Sequence, residues 1–319
     1  MAQPGSVLII ATSDDLHAQA VSRTLESQFD TPCLIWDRSG IPSEDEAIFR
    51  VSDINTAFDI WSQGNNIAFH SVRSVWWRRR SPFRLDSSVS EQTSRDFCLR
   101  ECDAFFRGVM DSVAAPIVNS PSAEMAARKP LQLQLARRAG LPIPKTLMTN
   151  SAKEVRAFWD AMEGECIYKP FTSHPSKLAE TRILSEEDLE HLDKLRHAPI
   201  IVQQKIEKGK DIRVNIFGTE VFAATVKTRI PAAELDWRLD LTAEWEPHTL
   251  PDALSERLIR LLRLLGLHYG CIDLRQQPDG AYVFFEVNPS GQFLMVEVDT
   301  GQPLTRSLAK LLVMPGGEV

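Results

Sequence analysis

Residues 269–292, YGCIDLRQQPDGAYVFFEVNPSGQ, form the stretch of sequence that decides the fold. Their pattern predicts a β-hairpin, with one strand at about residues 270–275 and the other at about residues 281–287. Between the strands, the QPDG at residues 277–280 supplies the proline and the glycine that commonly reverse a chain. Because side chains alternate along a strand, one face of the hairpin is expected to collect every second residue of each strand.

That face carries oxygen ligands. The alternation places Glu286 and Asn288 on one side, and Asp273 and Arg275 can point to the same side from the opposite strand. Two carboxylates and an amide oxygen make a site of hard ligands, which Mg²⁺ prefers when it also holds phosphates. An ordinary amphipathic hairpin with surface acids would explain the apolar residues, but not the clustering of acid and amide beside the PSG that follows. We therefore predict that Asp273, Glu286 and Asn288 bind magnesium.

The composition is that of an ordinary globular protein. The chain has 319 residues, of which 43% are hydrophobic and 25% are charged, and its formal net charge is −7. This length is sufficient for two or three lobes with cores of their own. The negative charge argues against a surface whose main task is to bind nucleic acid.

The compartment is expected to be the cytoplasm. No window approaches the roughly 20 apolar residues that a membrane helix needs, and the apolar run at residues 7–11 is too short for the core of a signal peptide. The five cysteines are odd in number and scattered, with no CxxC motif among them. We expect a reduced protein without a zinc site.

The first third of the chain predicts an α/β arrangement. Residues 7–11 are typical of a buried strand followed by a helix, and the absence of GxGxxG argues against a dinucleotide fold. Residues 74–82, SVWWRRRSP, would place their arginines on alternate faces of a strand, so an edge strand protected by charge is one interpretation. Residues 91–113 predict a long amphipathic helix. Its expected core face consists of Phe97, Phe105, Phe106 and Val109.

Several of these motifs resemble the ATP-grasp ligases, in which an acid followed by an ExN motif carries the magnesium ions. The resemblance is narrower at residues 286–293, EVNPSGQF, followed by Glu297 and by TGQP at residues 300–303. These are similar to the microviridin-type branch, the peptide-crosslinking maturases or graspetide synthetases. The W-x-R-R-x-P within residues 74–82 and the DWR at residues 236–238 resemble further elements of that branch.

The resemblance covers most of the chain and implies its fold. NSP at residues 119–121, two helices and the GLPIPKT that follows are similar to the start of the ATP-grasp fold. The expected fold class is α/β (α+β). An N-terminal α/β pre-ATP-grasp domain would span residues 1–118 and the ATP-grasp domain residues 119–319. Within the latter, a central lobe is expected at about residues 119–200 and a C-terminal nucleotide and metal lobe at about residues 201–319.

The resemblance also implies where ATP binds. Lys129, between the two helices, and Lys169, on a later strand, would reach the phosphates, although Lys129 could also be a solvated helix lysine. The backbone of a hinge would bind the adenine edge, and an acid after it would bind the ribose. Residues 171–177, at the place of a phosphate flap, contain no glycine, so no ligand is assigned there. The predicted nucleotide-binding residues are Lys129, Lys169, Gln203, Gln204, Lys205, Ile206, Glu207 and Asp211.

Cations and a tryptophan-rich segment complete the predicted site. A hairpin turned at Gly218 places Arg213 and Lys227 on neighbouring strands, where they could neutralise the charge of the γ-phosphate and of an acyl phosphate. A cross-strand surface pair is the alternative. The predicted catalytic residues are Arg213, Lys227 and Arg275, and the predicted substrate-binding residues are Arg78, Arg79, Asp236, Trp237 and Arg238.

Three functions compete. The first is an ATP- and Mg²⁺-dependent ligase that joins Asp or Glu side chains of a ribosomal precursor peptide, leader plus core, to Ser, Thr or Lys side chains. The second is a RimK-like ligase that adds free amino acids to a peptide or protein. The third is an ATP-binding scaffold without chemistry. The arginine-rich residues 74–82, the DWR at residues 236–238 and the TGQP ending favour the first over the second. The complete set of acids and cations argues against the scaffold, and the long amphipathic helix is compatible with a homodimer.

Overall fold

The computed structural model describes residues 5–79, 81–172, 181–230, 235–240 and 242–315. Most of the predicted flap segment, from residue 173 onward, lies outside the described residues, as do Arg80 and Glu234. None of the helices within the described ranges combines the length and the apolar character that crossing a membrane requires.

The first part of the chain folds around a parallel sheet. Its elements are β1 (Ser6–Ile10), α1 (Leu16–Phe29), β2 (Cys33–Trp36), β3 (Glu46–Val51), β4 (Thr56–Ser62), β5 (Asn65–Ala68), β6 (Val72–Trp77), α2 (Gln92–Met110) and β7 (Ile117–Val118), with 3₁₀ turns at Arg38–Gly40 and Phe69–Ser71. The parallel sheet has the order β2-β1-β6-β7, and β3-β4-β5 form a separate antiparallel sheet. The predicted strand at residues 7–11 is therefore confirmed as β1, in the middle of a sheet.

Helix α2 differs from its prediction in the residues that it buries. Phe106 and Val109 are buried as expected, but Phe97 and Phe105 are 57% and 38% exposed. Consecutive residues on a helix are about 100° apart, so Phe105 and Phe106 cannot both face the core. Phe106 takes the inner position, because it stacks on Trp77 at 5.7 Å between ring centroids.

A second, antiparallel sheet follows. The elements are α3 (Pro121–Ala126), α4 (Lys129–Arg138), β8 (Thr146–Thr149), α5 (Ala152–Ala161), β9 (Cys166–Lys169), β10 (Arg182–Ile183), α6 (Glu186–Leu189), a 3₁₀ turn (Leu192–His197) and β11 (Ile200–Gln204). The sheet order is β10-β9-β11-β8, and α5 covers it through Val155 and neighbouring apolar residues.

The last part of the chain forms the sheet that carries the predicted metal site. Its elements are β12 (Lys210–Phe217), β13 (Glu220–Lys227), a 3₁₀ turn (Trp237–Leu239), β14 (Glu244–His248), α7 (Asp252–Leu264), β15 (Tyr269–Gln276), β16 (Tyr282–Asn288), α8 (Leu294–Thr300) and α9 (Leu304–Val313). The order is β14-β13-β12-β15-β16, antiparallel throughout. The predicted hairpin of residues 269–292 is confirmed as β15 and β16.

The two faces of this sheet have different neighbours. Leu274, Phe284 and Val287 point to one face and pack with α4 and α7 in a common core. On the other face, Tyr269 and Cys271 pack with α1 and α9. Asp273 lies on that same face of β15, two residues after Cys271 and beyond the apolar packing. The same strand therefore contributes to the core and to the candidate site. Helices α3 and α4 follow the predicted boundary at residue 118 and pack with this last sheet. The division into domains stays a prediction.

Candidate active site

The predicted metal ligands converge at the end of the β15–β16 hairpin. Asp273 and Glu286 are paired across the two strands, next to a β-bulge. The Asn288 side-chain amide donates to Asp273 Oδ2 at 3.3 Å and lies 3.5 Å from Glu286 Oε1. All three side chains line one cavity of about 270 Å³, which opens between this sheet and the β8–β11 sheet.

Each carboxylate has its own cation. Arg213, buried on the adjacent β12, places Nη1 2.8 Å from Asp273 Oδ1. Lys129, the first residue of α4, places Nζ 2.9 Å from Glu286 Oε2. Lys169 at the end of β9 lines the cavity from the opposite sheet. The structure thus brings together three of the predicted cations and all of the predicted metal ligands.

The pKa values of these groups are shifted by burial and by one another. Burial raises the pKa of Glu286, but the charges of Lys129 and Lys169 outweigh it and lower that pKa to about 2. Burial raises the pKa of Asp273, against the opposing effect of Arg213, and Glu286 adds to the rise. Burial lowers the pKa of Lys169 to about 8, with Glu286 opposing and Lys129 contributing. At neutral pH Glu286 is therefore an anion within reach of two cations.

The hinge predicted to bind adenine forms the other end of the cavity. Gln204 and Lys205 donate their backbone N–H groups to the carbonyls of Lys145 and Glu165, both at 2.9 Å. No described residue accepts a hydrogen bond from the backbone N–H of Ile206, so this donor can serve a ligand. The Gln203 side chain is turned away toward β8, where it donates to Thr146 Oγ1 at 2.9 Å.

Arg275 lies at the hinge and not beside the carboxylates. Its guanidinium binds Asp211 through two hydrogen bonds of 2.7 and 2.9 Å and reaches the carbonyl of Ile206 at 3.3 Å. In this structure Arg275 therefore holds Asp211 at the cavity, and its predicted catalytic role stays a prediction. Of the two acids predicted for the ribose, Asp211 lines the cavity, whereas Glu207 is exposed and is not part of its lining.

The DWR segment covers the cavity. Asp236 begins the 3₁₀ turn at Trp237–Leu239 and receives a hydrogen bond of 2.7 Å from Arg238 Nε. The Trp237 ring packs edge-on against Trp245 at 5.0 Å and lies 5.9 Å from the guanidinium carbon of Arg213. All three DWR residues line the cavity, while Trp245 is buried behind Trp237.

Lys227 is not part of the site. It is exposed on β13, pairs with Glu246 of β14 and does not line the cavity. The reason is the alternation of side chains: Ala224 lies opposite Arg213 in the β12–β13 register, and Lys227 is three residues farther along. An odd separation places it on the other face of the sheet. The predicted alternative, a surface pair of Arg213 and Lys227, is not formed either, because Arg213 is buried and Lys227 pairs with Glu246.

Arg78 and Arg79 also lie away from the cavity lining. Arg78 is buried, and its Nη1 donates to the backbone carbonyls of Ser290 and Gly291 at 2.8 and 3.2 Å. Arg79 is exposed, with Nη2 2.9 Å from the side-chain amide of Gln292. The predicted cleft-facing position is wrong for Arg78. The C-terminal part of the chain covers the end of β6 and buries this side chain.

Phe285 is a cavity residue that the sequence did not indicate. In a regular hairpin Phe285 and Glu286 would face opposite sides, but the bulge between Asp273 and Leu274 shifts the register and both line the cavity. The Arg275 guanidinium lies 5.5 Å from the Phe285 ring. Nothing in the sequence marks this bulge.

Comparison with known proteins agrees with this geometry. A model of the RimK-like ATP-grasp domain family matches residues 126–312. The crystal structure of the macrocyclase MdnC bound with precursor peptide MdnA from Microcystis aeruginosa MRC has 26% identity and a TM-score of 0.85, over 97% of this chain and 99% of that one. The macrocyclase MdnB from the same organism has 29% identity and a TM-score of 0.82, also over 97% and 99%.

Another relative is named for a different activity. The glutamate–LysW ligase ArgX of Sulfurisphaera tokodaii is 23% identical over 214 residues, which are 64% of this chain and 75% of that protein. Together with the two macrocyclases, it confirms the predicted ATP-grasp fold. The resemblance to the peptide-crosslinking branch is confirmed as well.

Proposed function

This chain belongs to the RimK-like ATP-grasp family, and from that premise we propose that it crosslinks the side chains of a ribosomal precursor peptide. It is an ATP-grasp ligase. The carboxyl groups of Asp or Glu in the peptide are activated with ATP and joined to Ser, Thr or Lys side chains as macrocyclic esters or amides. The observation that carries the proposal is the single cavity in which the acid pair, its cations, the hinge and the DWR segment meet.

The residues present fit Mg²⁺. Asp273, Glu286 and Asn288 offer only oxygen ligands from their carboxylates and carboxamide, which is the chemistry that Mg²⁺ selects. Within the described part of the chain, no cluster contains three or more His, Cys, Asp or Glu side chains that could hold a metal ion. The site formed by Asp273, Glu286 and Asn288 has only two carboxylates. It therefore suits an ion that takes its remaining ligands from the oxygens of phosphate and water. When bound, magnesium would neutralise the charge of the phosphates and orient them.

The chain's own residues supply the rest of the electrostatics. Lys129, Lys169 and Arg213 surround the acid pair and would stabilise the negative charge that develops as a phosphoryl group moves to the peptide carboxylate. The resulting acyl phosphate is attacked by the hydroxyl or amine of the same peptide, and phosphate leaves. The cover formed by residues 235–238 would exclude water, which otherwise would hydrolyse the acyl phosphate.

Peptide binding is assigned to the DWR segment. Trp237 and Arg238 combine a large ring and a planar cation at the mouth of the cavity, and such residues commonly anchor peptides. The full-length likeness to MdnC, a macrocyclase solved with its precursor peptide, supports a peptide substrate. All five cysteines are free. We further propose that the enzyme is cytoplasmic and that it acts as a homodimer.

One experiment distinguishes crosslinking from amino-acid addition, the alternative that the likeness to the ligase ArgX favours. The enzyme is incubated with its precursor peptide, ATP and Mg²⁺, without free amino acids, and the peptide is analysed by mass spectrometry. Crosslinking lowers the peptide mass by one water for each link. A parallel incubation contains added free amino acids. A peptide mass that rises by amino-acid residues there, with no loss of water in the first incubation, would establish the RimK-like alternative.

A further inference from the structure

The loop of residues 289–292, directly after the predicted metal ligand Asn288, has its backbone carbonyls held by side chains from other parts of the chain. Its four backbone carbonyls all accept hydrogen bonds from elsewhere in the chain. Asn119 donates to Pro289 at 2.9 Å, Arg78 to Ser290 at 2.8 Å, Tyr269 and Arg78 to Gly291, and Arg213 to Gln292 at 3.4 Å. These hydrogen bonds fix the path of the loop relative to the strands and helices that supply the donors.

His17 of α1 holds the next turn of the chain. Its Nε2 accepts from the backbone N–H of Phe293 at 3.0 Å and of Leu294 at 3.2 Å, and its ring packs edge-on against Phe293 at 4.8 Å. Burial, aided by Arg78, lowers the pKa of His17 to about 4. At neutral pH the imidazole is uncharged, so Nε2 is free to accept.

Arg78 belongs to the same cluster. Its side chain has no exposure to solvent, its Nε lies 3.4 Å from Asp15 Oδ2, and its guanidinium lies 5.3 Å from the Trp76 ring. A buried arginine is costly unless it is paired and hydrogen-bonded. Asp15 neutralises its charge, and the two loop carbonyls accept hydrogen bonds from Nη1.

These contacts connect α1 and the end of β6 with a metal ligand. The clamped loop follows Asn288 without a break, and Arg213 contacts both the loop and Asp273. We propose that His17 and Arg78 are positioning residues for the magnesium site: by fixing residues 289–294 they orient Asn288 and Arg213. This inference rests on the proposed function, since it assumes that the site binds magnesium with a nucleotide. Neither residue touches the cavity.

The test compares variants at one interface. His17→Leu removes the acceptor, whereas His17→Gln offers an amide oxygen near the place of Nε2. Arg78→Lys keeps the charge beside Asp15 but loses the planar group that bridges two carbonyls. Ser74→Ala is the matched control, because the buried Ser74 hydroxyl donates to Leu312 at 2.6 Å and so joins β6 to α9 without contacting the loop.

The first readout is the Mg²⁺ concentration that gives half of the rise in melting temperature at saturating ADP. The second is direct binding of Mn²⁺ followed by electron paramagnetic resonance. Loss of a residue that orients a metal ligand typically weakens metal binding by roughly 10–100-fold. We expect that weakening for His17→Leu and Arg78→Lys, near-wild-type values for His17→Gln, and unchanged metal binding for Ser74→Ala.

The outcomes separate this inference from the proposed function. A wild type whose melting temperature does not respond to Mg²⁺ with ADP would overturn both. A responsive wild type, with His17→Leu and Arg78→Lys lowering only the melting temperature while metal binding stays unchanged, would overturn the positioning role alone. Equal weakening by Ser74→Ala would do the same. If His17→Leu does not fold, Arg78→Lys against His17→Gln and Ser74→Ala decides the question.

Discussion

Glu286 lies between two cations of the site: its carboxylate is 2.9 Å from Lys129 Nζ, and Lys169 lines the same cavity. Lys129 and Lys169 lower its pKa to about 2, so it is ionised at neutral pH. The carboxylate therefore has two partners to satisfy, the lysine that it binds in this structure and the metal ion that we propose.

Glu286→Gln tests the metal role. Glutamine has nearly the same shape, so the fold should be kept. The melting temperature should fall, because Lys129 loses its ion pair, and the charge that would bind Mg²⁺ is lost. Removing one group that stabilises a transition state commonly lowers the rate by roughly 10²–10³-fold, and we expect that loss in ATP-dependent crosslinking. Wild-type turnover by Glu286→Gln would return Glu286 to the role of a surface acid.

Lys169 makes nucleotide binding dependent on pH. Its pKa of about 8 lies below the ordinary 10.5, so it loses its charge as the pH rises through 8, and ADP binding should weaken by up to about tenfold per unit above that pH. Between about pH 8 and 10.5 the unfolded chain binds the extra proton, so this group makes folding stability rise with pH over the same window.

Lys169→Arg is the matched variant, because arginine stays charged. Isothermal titration of ADP between pH 7 and 9.5 should show a decline for the wild type and a flatter profile for Lys169→Arg. An identical decline in both proteins would assign the pH dependence to another group.

At the scale of elements, the strands and helices were predictable wherever a repeating pattern was strong. The β15–β16 hairpin, its turn and the helix that begins at Lys129 all follow from local sequence. Lys227 was misplaced, although counting residues from Arg213 would have put it on the opposite face. Phe285 could not have been placed, because a bulge depends on tertiary packing and leaves no local signal. Arg78 was misplaced because the loop carbonyls that it binds lie more than two hundred residues away.

Gly291 shows how tightly the loop after β16 is packed. A methyl group there would lie 2.4 Å from Cys271 Cβ and 2.8 Å from Arg213 Nη2. Gly291→Ala should destabilise the protein by about 1–3 kcal/mol, as overpacking commonly does, and should also weaken metal binding. Gly108→Ala is the control, because nothing lies within 4 Å of its added methyl on α2, and helix propensity predicts a gain of up to about 1 kcal/mol. Urea unfolding measures both, and equal stabilities would contradict the packing argument.

At the scale of the whole molecule, the site exists only where separate parts meet. The β8–β11 sheet contributes Lys169 and the hinge, the last sheet contributes the acid pair and Arg213, and residues 235–238 cover the space between them. The parallel sheet adds no residue to the cavity lining, and we propose that His17 of α1 and Arg78 after β6 connect this part of the chain to the site. Motifs in the sequence identified the individual parts, but the way in which they assemble required the structure.

The DWR cover is the part that should distinguish a peptide crosslinker from a ligase for free amino acids. Arg238 binds Asp236 and projects its charge toward the acid pair, so Arg238→Ala removes a cation from the mouth of the cavity while the hinge and Lys129 remain. We expect a higher KM for the precursor peptide, by roughly tenfold or more as for anchor residues in interfaces, with little change in the Kd of ADP. Arg229→Ala is the control, since Arg229 is exposed and paired with Glu244. If Arg238→Ala loses ADP binding and peptide crosslinking in equal measure, the segment serves the nucleotide, and the peptide must bind elsewhere.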